Sequence, residues 1–240
     1  MKTITKIVAI LVLLFTTSSC FMDAITGIKG NGNVISENRI LNTDFDAIKV
    51  QQGINLYLTQ GNLTTLNVEA DENILNLLIT EVKNNELKVY FEKNVYRAKA
   101  RNVYLTTATI SNIRTSSGAS VKSDNTLQVK SLDLDSSSGS SIKINVNATE
   151  VTSESSSGAV IDIFGNTKTF SARASSGSSI DADKLEAVDV YAKVSSGANI
   201  NVNVSGKLTA KASSGGSIDY EGSPKNIDKD TSSGGSVSRS

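Results

Sequence analysis

Ser175-Ser176-Gly177-Ser178-Ser179-Ile180 is one of seven places where the chain runs Ser-Ser-Gly and then reaches a β-branched residue three positions on. The glycines are Gly118, Gly139, Gly158, Gly177, Gly197, Gly215 and Gly234, at intervals of 21, 19, 19, 20, 18 and 19 residues. A period near 19 is too short for a helical-pair repeat and too regular for a linker. It fits one coil of a solenoid in which each turn stacks on the last. The β-branched residues are Val121, Ile142, Ile161, Ile180, Ile200, Ile218 and Val237, a type suited to a pleated, packed surface. Two residues before each first serine stand Arg114, Asp135, Glu154, Arg173, Lys193, Lys211 and Asp230. All are charged, so this position is expected to face water. Segments such as Ser141-Ile142-Lys143-Ile144-Asn145-Val146 alternate with period two, the strand signal, and the glycine reads as a bend between two short strands.

Stacked coils bring equivalent residues to about 4.8 Å, so side chains form ladders. Isoleucine over isoleucine makes an apolar column. Serine over serine makes a hydroxyl column in which each member both donates and accepts. The sequence thus predicts an all-β, single-domain parallel β-helix, right-handed, with coils of about 19 residues. It further predicts that the second serine of each tripeptide points inward, paired along its column, while the first faces solvent.

The N-terminus has the build of a bacterial lipoprotein signal. Lys2 and Lys6 precede the uncharged apolar run Ile7 to Phe15, and Thr16-Thr17-Ser18-Ser19-Cys20 follows. Nine apolar residues are too few to span a bilayer. Cys20 is the only cysteine, and lipidation there is expected, although Thr17 stands where an aliphatic residue is usual. Residues 1–19 are then the signal peptide and 20–29 the lipidated cysteine and tether. Residues 30–110 are irregular N-terminal coils, and 111–240 the regular Ser-Ser-Gly coils of the same solenoid. Within the irregular part, Asp71 to Ile79 has helical spacing with Asp71 as a plausible N-cap. A short helical insertion capping the solenoid end is expected there. The polar finish at Arg239-Ser240 suits an exposed terminal strand.

Phe45-Asp46-Ala47-Ile48-Lys49-Val50, then Gly53-Ile54-Asn55, then Glu69-Ala70-Asp71-Glu72-Asn73 follow in order before the repeats. In these motifs, and across about residues 40–230, the chain resembles the head GIN domain family of putative autotransporter adhesins. Gly53-Ile54-Asn55 is the GIN triplet itself. The resemblance implies a secreted or lipid-anchored β-helical protein of Bacteroidetes-type bacteria and brings no catalytic residues.

The chain has no histidine and no tryptophan, and its formal charge is zero. Histidine-based triads and Cys-His pairs are therefore excluded, and zinc loses its preferred ligands. No phosphate loop, dinucleotide fingerprint or basic-aromatic run is present, so neither nucleic acid nor a cofactor is expected. One outward column invites chemistry. Four residues after the glycines stand Lys122, Lys143, Asp162, Asp181, Asn201, Asp219 and Ser238. Asp162 and Asp181, on adjacent coils, could hold a divalent cation or act as paired acids on a glycan. A solvated face is the simpler expectation, with no metal and no catalytic residue.

The expected function is that of a non-enzymatic, lipid-anchored cell-envelope protein, outer-membrane located, an adhesin or a solenoid binding a glycan, polymer or protein. The alternatives are a carbohydrate-active hydrolase or lyase using Asp162 and Asp181, and a purely structural envelope protein. Its expected partners are the membrane, through the anchor, and an extracellular or periplasmic glycan or protein.

Overall fold

The alternation of apolar and polar residues becomes two faces of parallel strands that meet at the Ser-Ser-Gly corners. The computed structural model describes residues 27–41 and 43–240, so the signal segment, Cys20 and most of the tether lie outside the described residues. On the face preceding the corners, Ala47–Val50, Asn112–Thr115 and Ser131–Ser136 stack in parallel register. The stack continues through the later halves of Ser141–Ser155, Val160–Ala174 and Ser179–Val194 to Lys207–Ala212 and Asn226–Thr231. On the face following the corners, Asn55–Gln60, Ser120–Gln128 and the earlier halves of the same long strands lead to Asn199–Val204, Ser217–Gly222 and Ser236–Arg239. The result is an all-β solenoid of about 7 turns with coils of about 19 residues.

The core lies between these faces. Val121, Ile142, Ile161, Ile180, Ile200 and Ile218 are each 0% exposed, and Val237 packs half-buried at the end of their column. The charged position before each tripeptide is exposed at all seven repeats. Inward and outward assignments from period-two alternation therefore hold along the strands.

They fail at the corner. The second serine of every tripeptide is exposed, with φ between 49° and 55°, and the following glycine lies between 67° and 77°. Two successive positive φ angles, closed by a bond such as Ser178 N–H to Ser175 carbonyl at 3.3 Å, make a tight turn of the I′ kind. That geometry swings the second serine outward, against the expectation. Its carbonyl instead accepts from the glycine N–H of the preceding coil, as Gly158 N–H to Ser176 at 3.2 Å, stitching corner to corner. Buried hydroxyls do form a cluster, but from the residue before the tripeptide and the residue after it. Thr115, Ser136 and Ser140 lie 2.9 Å apart pairwise, and Ser178 donates to the Ser155 carbonyl at 2.8 Å. In later coils these inward positions turn apolar, as Ala174, Val194 and Ala212.

The N-terminal end departs from simple chain order. Glu86–Phe91 and Arg101–Thr107 form a coil that stacks outside Ala47–Val50 and Asn55–Gln60. The chain lays down the coil holding Gly53-Ile54-Asn55, goes outward to build the next one, then returns to stack Asn112–Thr115 on Ala47–Val50. The outer coil is covered by antiparallel strands: Leu78–Lys83 on one face, and Thr65–Asp71 with Val34–Arg39 on the other. Antiparallel covers end the stack because they break the repeat that another parallel coil would extend.

The expected helix is only Glu72–Leu75, and Leu78–Lys83 is strand. Asp71 occupies the N-cap position but makes no capping bond with its side chain. Its carboxylate, 1% exposed, accepts from the N–H groups of Gly32 at 2.8 Å, Lys99 at 2.9 Å and Ala100 at 3.0 Å. It thereby ties the segments around Gly32 and around Lys99-Ala100 to the end of its own strand. Burial pushes the Asp71 carboxyl up, but the three N–H donors and the Lys99 charge outweigh it and hold it below the usual range.

At the other end the last coil carries cations at core-column positions. Lys229 follows Ala210 in register and Arg239 follows Tyr220. The Lys229 ammonium sits 4.6 Å from the Tyr220 ring centre and donates to the Val237 carbonyl at 3.3 Å. Arg239 donates to the Gly222 carbonyl at 2.8 Å.

Candidate functional site

Because outward residues stack in register, the face following the corners presents one unbroken column. It runs Tyr104, Tyr57, Lys122, Lys143, Asp162, Asp181, Asn201, Asp219 and Ser238. Nine rungs at about 4.8 Å make an outward line on the order of 40 Å long. Its chemistry is graded from aromatic, through basic, to acidic and polar.

At the aromatic end the Tyr57 and Tyr104 rings stack with centroids 5.1 Å apart and planes 14° from parallel. Beside them runs a hydrogen-bonded row of amides and a carboxylate. Asn55 donates to Asn102 at 3.2 Å, and Asn102 donates to Glu69 at 2.8 Å. The Tyr104 hydroxyl donates to the same Glu69 oxygen at 3.2 Å. Burial pushes the Tyr104 phenol up, and the Glu69 carboxylate adds to it. Farther out, Ser36 donates to Asn67 at 2.9 Å and Asn67 to Asn38 at 2.8 Å. Each amide is oriented by its neighbour.

In the middle, Lys143 approaches Asp162 at 3.9 Å and lies 5.2 Å from the Phe164 ring centre, with Lys184 at 5.8 Å from the same ring. The expected pairing of Asp162 with Asp181 on adjacent coils is present. Burial pushes the Asp162 carboxyl up, Lys143 opposes this, and Asp181 and Asp183 add to it. Among the described residues no group of three or more His, Cys, Asp or Glu side chains is placed to hold a metal ion. Neither aspartate lines the shallow cavities at Arg173 and at Lys211 on the opposite face. Cys20 lies outside the described residues, and no described helix is long and apolar enough to cross a membrane.

The opposite face carries the charged column Arg114, Asp135, Glu154, Arg173, Lys193, Lys211 and Asp230. Arg173 pairs with Glu154 at 3.4 Å and lies 5.5 Å from the Tyr191 ring centre. Shallow cavities of about 290 and 240 Å³ open beside this column at Arg173 and at Lys211. Opposite charges alternate in blocks along it, so it is largely self-compensating.

The tyrosine pair was not legible as a site from its separate strands, 47 positions apart. The signal was nevertheless there: Asn55-Leu56-Tyr57-Leu58 and Asn102-Val103-Tyr104-Leu105 are the same motif.

The solved structures similar to this chain share its fold. One is a putative adhesin from Bacteroides fragilis NCTC 9343, 23% identical, with a TM-score of 0.84, covering 89% of this chain and 100% of its own. A second, a putative lipid binding protein from Parabacteroides distasonis ATCC 8503, is 19% identical, with a TM-score of 0.74 and coverage of 89% and 99%. A third, a putative adhesin from Parabacteroides merdae ATCC 43184, is 18% identical, with a TM-score of 0.70 and coverage of 89% and 98%. No curated protein matches the chain significantly. The family described as "putative auto-transporter adhesin, head GIN domain" matches residues 44–224, and the chain belongs to that family.

Proposed function

We propose that this protein is a non-enzymatic, lipid-anchored cell-envelope solenoid that holds an extended partner along its outward column. The observation that carries the reading is the unbroken line from Tyr104 to Ser238, graded in chemistry and about as long as several sugar or peptide units. A linear partner can meet one rung after another, so many modest contacts add without a deep pocket. The stacked tyrosines and the row of amides with Glu69 offer a sugar both apolar ring surface and paired donors and acceptors. Membership of an adhesin-like family agrees with contact to external molecules. Cys20 would supply the anchor, with multiple acyl chains giving stable attachment.

A second reading has one observation in its favour. The Asp162 carboxyl, pushed up by burial, stands beside Asp181 on the next coil, and paired acids cleave glycosidic bonds. The experiment separates them. Purified protein is incubated with envelope polysaccharide, and both retention and new reducing ends are measured. Retention of intact polymer supports the binding reading. Turnover that disappears in Asp162→Asn with Asp181→Asn would establish the hydrolase. For the anchor, Cys20→Ser is expected to abolish incorporation of labelled fatty acid and to free the protein from membranes.

A further inference from the structure

A patch of three cations surrounds an open cavity at the capped end of the solenoid, apart from the outward column. Lys29 and Arg97 are register partners in the two-stranded sheet of Ile28–Lys29 and Val95–Arg97. With Lys99 they border a cavity of about 620 Å³ whose remaining wall is Gly30, Asn31, Gly32, Asp71 and Ala98. All three cations are exposed, and none is in any of the ion pairs found among the described residues. The acids beside them are already engaged. Asp71 is buried and answered by three backbone N–H groups. Glu72 accepts from the side-chain amides of Asn31 and Asn33, at 3.4 and 2.9 Å. Tyr96, next to Arg97, is 46% exposed and adds an amphipathic ring of the kind favoured at membrane interfaces.

The position of this patch along the chain matters as much as its charge. The described chain begins at Gly27, one residue before the sheet, and Cys20 stands seven residues earlier. Seven residues reach at most about 25 Å when fully extended. An acylated Cys20 therefore keeps the patch within reach of the headgroups, and attraction acts once the patch comes within about one Debye length of them.

We propose that Lys29, Arg97 and Lys99 form a docking site for anionic phospholipid headgroups, which seats the capped end of the solenoid on the membrane. The proposal rests on the lipid-anchored reading for its geometry, but the binding chemistry can be tested without the acyl chain. Seated this way, the solenoid is held by its cap and its outward column is left free for the partner.

The test uses the full chain carrying Cys20→Ser, so that no acyl chain contributes. Its partition onto phosphatidylcholine vesicles is compared with that onto vesicles containing about a third phosphatidylglycerol, at low and physiological salt. Preference for the anionic vesicles is expected, weakening with salt. Lys29→Gln, Arg97→Gln and Lys99→Gln together should reduce anionic partition by on the order of a hundredfold, about fivefold per cation. Partition onto phosphatidylcholine, which reports any contribution of the apolar N-terminal run, should not change. Equal anionic partition by the triple variant, with its melting temperature intact, would overturn the proposal. So would inorganic phosphate that raises the melting temperature and displaces the protein from vesicles beyond the effect of sodium chloride at equal ionic strength. That result would mark a site for a free anion. Fatty-acid labelling of the wild-type chain reports the anchor separately. Labelling without anionic preference sinks the docking site and keeps the anchor, and the reverse outcome sinks the anchor and keeps the docking site.

Discussion

Replacing Ile180 by Ala tests the central column of the core. Ile180 is 0% exposed and lies in register between Ile161 and Ile200. The change removes three carbon groups, about 2.4 kcal/mol at about 0.8 kcal/mol per buried methylene. The space left behind cannot close easily, because backbone ladders hold the coils above and below at about 4.8 Å. A cavity contribution therefore adds, and the expected loss is about 3–4 kcal/mol, within the range for large-to-Ala changes. That is a large part of a net stability of about 5–15 kcal/mol. The neighbouring outward residue is the control: Asp181→Ala should change stability by no more than about 0.5 kcal/mol. Urea unfolding followed by circular dichroism measures both. The slope matters too, because a solenoid interrupted at one coil can unfold in two parts and lower the apparent slope. A loss at Ile180 no larger than that at Asp181 would refute the inward column.

Two glycines with positive φ should respond differently to alanine. Gly177, φ 67°, has open space around a built Cβ, whereas at Gly165, φ 114°, the Cβ would lie 2.0 Å from the Val146 carbonyl oxygen. Gly177→Ala should cost about 1 kcal/mol and Gly165→Ala more than about 3 kcal/mol by thermal or urea unfolding. Asp71→Asn turns an amide N–H₂ toward backbone donors and should cost about 1–3 kcal/mol near neutral pH. Because the folded-state carboxyl is held below its ordinary value, its contribution is complete above about pH 4 and fades as pH falls through the depressed folded value. The stability gap between wild type and variant should therefore narrow in acid. Lys229→Leu with Arg239→Leu removes both inward cations from the last coil and should increase end-to-end assembly relative to wild type, read by sedimentation velocity.

Much of the fold was legible because a strand enforces strict alternation, and seven copies make the alternation unmistakable. The isoleucine column, the exposed charges and the Asp162–Asp181 adjacency all follow from that rule. The serines were misassigned because the corner suspends it. Two residues with positive φ, such as Ser176 and Gly177, reverse the direction of the side chain, and counting by twos does not register a turn. The stacking place of the outer coil was not read from the sequence, for another reason. Stacking order is set by pairing energies, not by order of synthesis, and residues 86–107 pair outside residues 47–60. The near-identity of Asn55-Leu56-Tyr57-Leu58 with Asn102-Val103-Tyr104-Leu105 carried that information without the Ser-Ser-Gly marker. Asp71 was read as a local cap because its position suits one. Its real partners are 28, 29 and 39 residues distant, beyond any local pattern.

The claim that the outward column is the recognition surface is tested most directly by measuring how envelope polymers bind to surface variants that fold normally. Tyr57→Ala with Tyr104→Ala removes the stacked pair, and Lys122→Ser with Lys143→Ser removes the basic rungs. Arg173→Ser with Lys193→Ser on the opposite face is the control. Immobilised protein is titrated with fractionated envelope polysaccharide and surface protein, with circular dichroism and melting temperature checked for each variant. The account predicts that both column variants lose at least tenfold in affinity while the opposite-face control binds as wild type does. Equal binding by all of them, or loss only in the opposite-face variant, would contradict it.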